Sequence, residues 1–477
     1  MRLIIILLLT ALSLPLTVTG RHFQVTLSEP GTLAGILGGR KYFTDSLTVS
    51  GEINDSDIRF LWESTFYGQT TYINLANARL ADKRLPDNAF FHPSEQAFIQ
   101  FAPDDLRTQY IKLKELILPD DIEEIGFGAF AFSPNLKNLN IPHATKKIDE
   151  RAFLSGGIEG RLYFWDALEE IGDYAFDNSW GTKYVDLPGS LKTVGKAAFR
   201  RSLIEHLKLY RFSPDYVGYE AFANNYFKSL ELYEHNNIEN WGECVFSGCP
   251  FLEEVNIGEG ITSIPSGCFY GSSIERITFP STLKHISEDA FYYNTFVELE
   301  LNEGLETLGD RAFHSNQRLK IVTLPSSLKE MGWGCFGGQS LKFVVVKTAT
   351  PPVCDPNSFS VVYENVTIIV PKGSTEAYRK ATCWNKFTKY AELDDFSNID
   401  EAIAKACSRP ATIDLTREGI SITGNSDSSQ EMPYSVFTID GRNIADGLVG
   451  ECPVSLSLNP GTYIVKIGSF SEKVAVR

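Results

Sequence analysis

The sequence predicts a β-rich repeat solenoid of parallel strands with turns and short helices, capped at both ends and followed by a small C-terminal β-sandwich. Three observations carry that prediction. An Ala-Phe phrase returns at a nearly constant interval. A short alternating segment, often closed by Pro, keeps step with it. The periodicity then changes near residue 411.

The recurring phenylalanines are Phe130, Phe153, Phe176, Phe199, Phe222, Phe246, Phe269, Phe291, Phe313 and Phe336, at spacings of 23, 23, 23, 23, 24, 23, 22, 22 and 23. Five residues before each stands an apolar side chain, such as Ile125, Ile148, Val194 or Met331, and the next residue is Gly in seven of the ten units. Directly before each Phe the residue is small, usually Ala. Cys268 and Cys335 replace Ala there, which reads as buried packing rather than reactivity. The alternating segments, such as Leu116-Ile117-Leu118-Pro119 and Val322-Thr323-Leu324-Pro325, read as strands with one buried face. The Ala-Phe piece reads as a tight turn or a few residues of helix on the opposite side. A single unit cannot bury its own Leu, Ile and Phe, so stacked copies must bury them against each other. Ten strands at about 4.8 Å spacing span on the order of 50 Å, with the Phe rings as a spine behind them.

This pattern of L-x-x-L-x-L-P followed by L-x-x-I-G-x-x-A-F, over residues 113 to 346, resembles the BspA-type, or treponemal-type, leucine-rich repeats. The resemblance implies a cell-surface repeat protein whose partners are host or bacterial surface proteins, or glycans. The Asn usual at the strand end of leucine-rich repeats is missing, and Pro often replaces it.

Before the repeats, residues 1–20 read as a secretory signal peptide. Arg2 precedes the apolar run from Leu3, and small residues close it at Val18-Thr19-Gly20. The run is shorter than the roughly 18 apolar residues of a membrane span, and no later stretch reaches that length. Residues 21–110 read as an N-terminal cap with irregular repeats. Ser46–Gly51 and Tyr72–Leu75 are its strands, Asp55–Ser64 its helix with Asp55 or Ser56 as the cap, and Phe91–Tyr110 a loop. Asn88-Ala89-Phe90 is an outlying copy of the repeat phrase. The repeats occupy 111–346.

Residues 347–393 read as the closing cap. The run from Val370-Pro371-Lys372-Gly373 to Tyr378, followed by Trp384-Asn385-Lys386-Phe387, resembles the closing segment of the same repeat family. Ser374 or Thr375 would cap a short helix there. Residues 394–411 form a helical linker with a capping box at Asn398 and Glu401. Residues 412–477 alternate as strands and form a sandwich of roughly 65 residues, large enough to fold without staples. Val436-Phe437-Thr438-Ile439-Asp440-Gly441-Arg442, Leu458-Asn459-Pro460-Gly461-Thr462-Tyr463 and the final Lys473–Arg477 resemble a type IX secretion sorting domain. That resemblance implies secretion machinery as a partner and an extracellular or outer-surface location in a Gram-negative bacterium. A plain structural module is the other reading.

The chain has 477 residues, 43% hydrophobic and 22% charged, with a formal net charge of -16. Such an acidic balance repels phosphate backbones, so nucleic acid is excluded as a partner. No His lies three or four residues from another, and the eight cysteines show no metal-site spacing. No H-e-x-x-H, phosphate-loop or nucleophile-elbow pattern occurs. The sequence therefore predicts no enzyme, no metal and no cofactor.

Binding is expected on the strands, where residues between buried positions point to the concave face. Arg161, Tyr163, Tyr184, His206 and Lys208 form a basic and aromatic zone. Glu231, Glu254, Glu298 and Glu300 follow as an acidic one. Tyr and Arg are enriched at binding hot spots, so the first zone is the stronger candidate. The alternatives to an adhesion protein are a structural surface scaffold and a glycan-capturing protein for nutrient uptake.

Overall fold

The computed structural model describes residues 21–91, 112–393, 411–416, 419–424, 432–439, 442–449, 454–467 and 470–476. The expected signal peptide, nearly all of the expected 91–110 loop and of the helical linker, with Asn398 and Glu401, lie outside them. Two compact units are distinguished: residues 1–368 with 376–389, and residues 369–375 with 390–477.

In the first unit the alternating segments form a column of parallel strands. Tyr184 and Asp186 of Thr182–Asp186 face Arg161 and Tyr163 of Gly160–Tyr163, and His206 and Lys208 of His206–Lys208 on the other side. A second column, absent from the sequence reading, is made of two-residue strands ending at the apolar residue five before the Phe, and is interrupted at Trp241 by the short helix Ile238–Asn240. Glu124–Ile125 pairs with Lys147–Ile148, and Glu170–Ile171 with Thr193–Val194, all parallel. Ile125, Ile148 and Ile171 are buried, so their peptide groups need partners that water cannot supply.

The Ala-Phe piece is a turn, not a helix. The residue two before the Phe has positive φ in every unit, including Arg151 (58°), Tyr174 (56°), Ala197 (51°) and Glu220 (54°). Left-handed backbone costs a non-glycine residue roughly 1–2 kcal/mol. Here it aligns alternate N–H groups toward the next repeat. Arg151, Phe153 and Ser155 donate to the carbonyls of Asp173, Ala175 and Asp177, and the next unit repeats the pattern with Tyr174, Phe176 and Asn178.

The Phe rings stack as the expected spine. Neighbouring centroids are 4.9 Å apart at Phe153 and Phe176, 5.0 Å at Phe176 and Phe199, and 5.8 Å at Phe313 and Phe336. The spine also takes in Phe90, 5.4 Å from Phe130, and Phe359, 5.6 Å from Phe336. Behind it runs a buried polar ladder, three residues after each Phe. Ser179, Ser202, Asn225, Ser272, Asn294 and Asn316 each donate to the carbonyl of the preceding repeat's Phe, at 2.6–3.1 Å. The missing strand-end Asn thus has its counterpart here. Cys249 occupies the same rung, and Cys268 and Cys335 are buried in the Ala position as expected.

On the outer surface, seven residues before the Phe, charge alternates over six successive units, Lys83, Glu123, Lys146, Glu169, Lys192 and Asp215, and lapses at Glu239 and Thr262. Glu123 is 3.0 Å from Lys83 and 2.6 Å from Lys146, and Lys192 is 3.1 Å from Glu169. The two lysines hold the Glu123 carboxyl below its usual range. Lys284, Glu306 and Lys329 repeat the alternation farther on, with Lys329 2.6 Å from Glu306.

The N-terminal cap begins with a strand, His22–Leu27, parallel to Ser46–Ile53. Its helix runs Asp55–Phe66, and the cap is Asn54 rather than Asp55 or Ser56. Asn54 accepts from the N–H groups of Ser56 and Asp57, and Asp57 accepts from that of Asn54, a reciprocal box that starts the helix at Asp55. At the other end, Thr367 donates to the carbonyl of Lys342. Trp384 and Phe387 lie edge-on to Phe359, at 5.4 and 5.2 Å, and close the spine. Trp384 donates to Pro352 and Tyr378 to Thr348. A disulfide joins Cys354 to Cys383 across the same junction.

The second unit holds two antiparallel sheets, of three and four strands. Ile420, Ile422, Tyr434, Val436, Val465 and Ile467 are at the centre of its core. The Tyr463 hydroxyl donates to the Asn459 carbonyl, pinning the turn before its strand.

Two outcomes check the ladder and the cap. Asn316→Leu leaves the carbonyls of Phe291 and Phe313 without their buried donor. It should lower stability by about 1–3 kcal/mol in urea unfolding, more than Asn316→Ser does. Cys354→Ser with Cys383→Ser opens a loop of 29 residues and should cost about 3–4 kcal/mol on the same axis, with the tail unit's unfolding unchanged.

Candidate functional site

The strand column brings the first zone together in two rows. Arg161, Tyr184 and His206 are Cα partners across three strands, and so are Tyr163, Asp186 and Lys208. All five predicted side chains of that zone are exposed, because alternate strand residues turn away from the core. The rings of Tyr184 and His206 stack at 4.5 Å, nearly parallel. The Arg161 guanidinium sits 4.8 Å from the centre of the Tyr163 ring and 3.6 Å from Asp186. The zone is therefore less basic than expected, since Asp186 stands between Tyr163 and Lys208.

The acidic zone does not hold together. Glu231 lies on Ser229–Leu232, beside the first zone, and accepts from the Tyr233 hydroxyl at 2.6 Å. That bond pushes the Tyr233 phenol up to about 12. Glu254 faces Arg276 at 3.4 Å. Glu298 and Glu300 belong to a later sheet, where Glu300 pairs with Lys347 at 3.0 Å. Six of the nine candidate residues thus share one face, Glu254 stands one strand farther on against Arg276, and Glu298 and Glu300 lie apart.

Two cavities flank Tyr184. One, of about 700 Å³, is lined by Ile117, Asn138, Asn140, Arg161, Tyr163 and Trp165, among others. The other, of about 460 Å³, includes Asp186, His206, Lys208, Tyr210, Glu231 and Tyr233. Trp165, Tyr210 and Tyr233 escaped the sequence reading. Each occupies the position just past the strand where Pro119, Pro142 and Pro188 stand in sister repeats, and the exchange of Pro for an aromatic was the available signal. Trp165 is held by its Nε1–H bond to the Ile141 carbonyl and by the His143 ring 3.7 Å away. Tyr210 meets Tyr233 edge to face at 5.8 Å.

The thiols are placed for packing. Burial pushes Cys249 up to about 12 and raises Cys268 and Cys335 as well, so none offers a thiolate at neutral pH. Among the described residues, no group of three or more His, Cys, Asp or Glu side chains is arranged to hold a metal ion, and no helix is long and apolar enough to cross a membrane.

A family profile described as "BspA type Leucine rich repeat region (6 copies)" matches residues 108–228, 169–297, 239–366 and 284–409. No match was found among curated proteins. The chain is similar to solved leucine-rich repeat structures. The pneumococcal vaccine antigen PcpA is 20% identical, with 59% of this chain and 89% of that one covered and a TM-score of 0.36. A leucine-rich repeat protein from Bacteroides ovatus is 19% identical, with coverage of 59% and 84% and a TM-score of 0.34. A leucine-rich cell surface protein from Faecalibacterium prausnitzii is 17% identical, with coverage of 66% and 84% and a TM-score of 0.34.

Alkylation followed by residue-resolved mass spectrometry tests the thiol placement. Cys249, Cys268 and Cys335 should stay unlabelled in the folded protein under mildly alkaline conditions and label fully after unfolding. The half-exposed Cys244 should label first among the solenoid thiols.

Proposed function

Since the chain belongs to the BspA-type leucine-rich repeat family, we propose that it is a cell-surface binding protein with an adhesive role, using the exposed strand face between Glu115 and Tyr233. One observation carries this reading. Arg161, Tyr163, Tyr184, His206 and Lys208 come from three adjacent repeats into one exposed surface flanked by two cavities. Exposed aromatic clusters on a rigid sheet are costly unless a partner covers them, and Tyr and Arg supply most of the energy in such contacts. The buried rungs and the Phe spine lock the strands, so a partner meets a preorganised surface and loses little to ordering.

Delivery to that location rests on the sequence. Residues 1–20 serve as the export signal, and the antiparallel tail unit acts as a sorting module for outer-membrane passage. The catalytic role is nil in this reading, and the protein works by holding.

The test is a solid-phase screen of the full chain against matrix proteins, mucin and glycans, beside a variant with Arg161, Tyr163, Tyr184, His206 and Lys208 all changed to Ala. These side chains are exposed, so the variant should keep the parent's fold and melting behaviour. Selective retention by the parent, reduced at least tenfold in the variant, is expected. Self-association with no selective retention would replace the proposal with a surface scaffold.

A further inference from the structure

The two cavities differ from an ionic site in one respect. Most of their charges are matched locally: Lys137 with Glu159 at 2.7 Å, Arg211 with Asp166 at 3.3 Å, and Arg161 with Asp186 at 3.6 Å. Lys208 and Glu231 line the same cavity. The face therefore offers many hydrogen-bonding groups without a field of one sign, and neither a polyanion nor a polycation is complementary to it.

The aromatics are the other half of the argument. Tyr163 is 57% exposed, Trp165 42%, Tyr184 44% and Tyr210 70%. Together with Tyr233 they come from four consecutive repeats, so they form a file along the stacking direction. Adjacent strands are about 4.8 Å apart, and the file spans roughly 15 Å. Several rings are held on one side by a neighbour: Trp165 by His143, Tyr163 by the Arg161 guanidinium, and Tyr184 by His206 on the adjacent strand. A ring fixed on one side presents its other face or edge to a ligand at little entropic cost.

We propose that this face binds a neutral, linear oligosaccharide lying across the strands, with Trp165 and Tyr163 stacking one sugar and Tyr210 and Tyr233 bordering another. The inference rests on the binding role proposed above and names its ligand class. A pyranose ring has an apolar C–H face and a rim of hydroxyls. The aromatics receive the first, recovering apolar area now open to water. Beside the rings, the Asn138 amide can donate to and accept from the second, and the Asp186 and Glu231 carboxylates can accept from its hydroxyls. A linear chain suits the file, because one sugar would reach only one cavity.

Calorimetry of the full chain with cello-, xylo-, manno- and chito-oligosaccharides of increasing length is the test, beside sulfated and sialylated glycans and the proteins of the panel. At least one neutral series should bind, with affinity rising with length until both cavities are filled and little dependence on salt. Trp165→Ala with Tyr210→Ala should weaken it tenfold or more. Tyr270→Ala with Tyr293→Ala, exposed aromatics outside both cavities, should leave it unchanged. Three results overturn the inference. One is binding confined to sulfated or sialylated glycans and abolished by salt. Another is neutral-glycan binding that survives loss of Trp165 and Tyr210. The third is the absence of glycan binding. If a protein from the panel is still held on this face in that last case, the binding role stands and only the ligand class falls.

Discussion

Each repeat must hand the peptide groups of its turn to a neighbour, and the rest of the structure depends on that transfer. The Phe side chain fills the turn, but its carbonyl is buried with it. A buried carbonyl without a donor costs about as much as the ring's packing provides. The polar rung of the next repeat supplies the donor, from Ser179 beneath Phe153 through Asn316 beneath Phe291. The left-handed residue two before the Phe supplies the matching geometry for the N–H groups. Packing and hydrogen bonding therefore fail together or hold together, which is why the ends need dedicated closures: Trp384, Phe387 and the Cys354–Cys383 bond at one end, and the Asn54-capped helix with its parallel strands at the other.

The face that carries the candidate site is nearly independent of this machinery. Strand residues alternate, so Leu162, Val185 and Leu230 serve the core while Arg161, Tyr184 and Ser229 serve the surface. A partner's requirements can be met one repeat at a time without disturbing a rung. The same independence let aromatics enter at the Pro position, where Trp165, Tyr210 and Tyr233 now border the cavities.

How much could be read from residues alone follows from which features are periodic in residue type. The repeat, the parallel strands, the ring spine and the buried Cys268 and Cys335 were legible, because each demands the same kind of side chain every time. The second strand column was not, since two residues leave no alternation to detect. The left-handed position was hidden because Arg151, Tyr174, Ala197 and Glu220 share no chemistry, and backbone hydrogen bonds rather than side chains select it. The polar ladder was blurred by the interchange of Ser, Asn and Cys. Phe359 was missed because Ser358 replaces the usual Ala before it. Of the candidate site, the five residues of the first zone were legible from strand alternation. So was the place of Asp186 on that face, whereas its ion pair with Arg161 and the separation of Glu298 and Glu300 were not, because distances emerge only when each strand's neighbours are known.

The alternating charges on the outer surface bear on how such a chain assembles. Successive units are so alike that one could dock on the next but one, a characteristic error of repeat proteins. In the series Lys83, Glu123, Lys146, Glu169, Lys192, Asp215, skipping a single unit sets Glu123 against Glu169 or Lys146 against Lys192, and attraction becomes repulsion. The column thus works as a parity check on the order of the repeats: weak in the finished protein, where salt screens exposed pairs, but weighted against the one mistake that the buried spine, identical in every unit, has no means to detect.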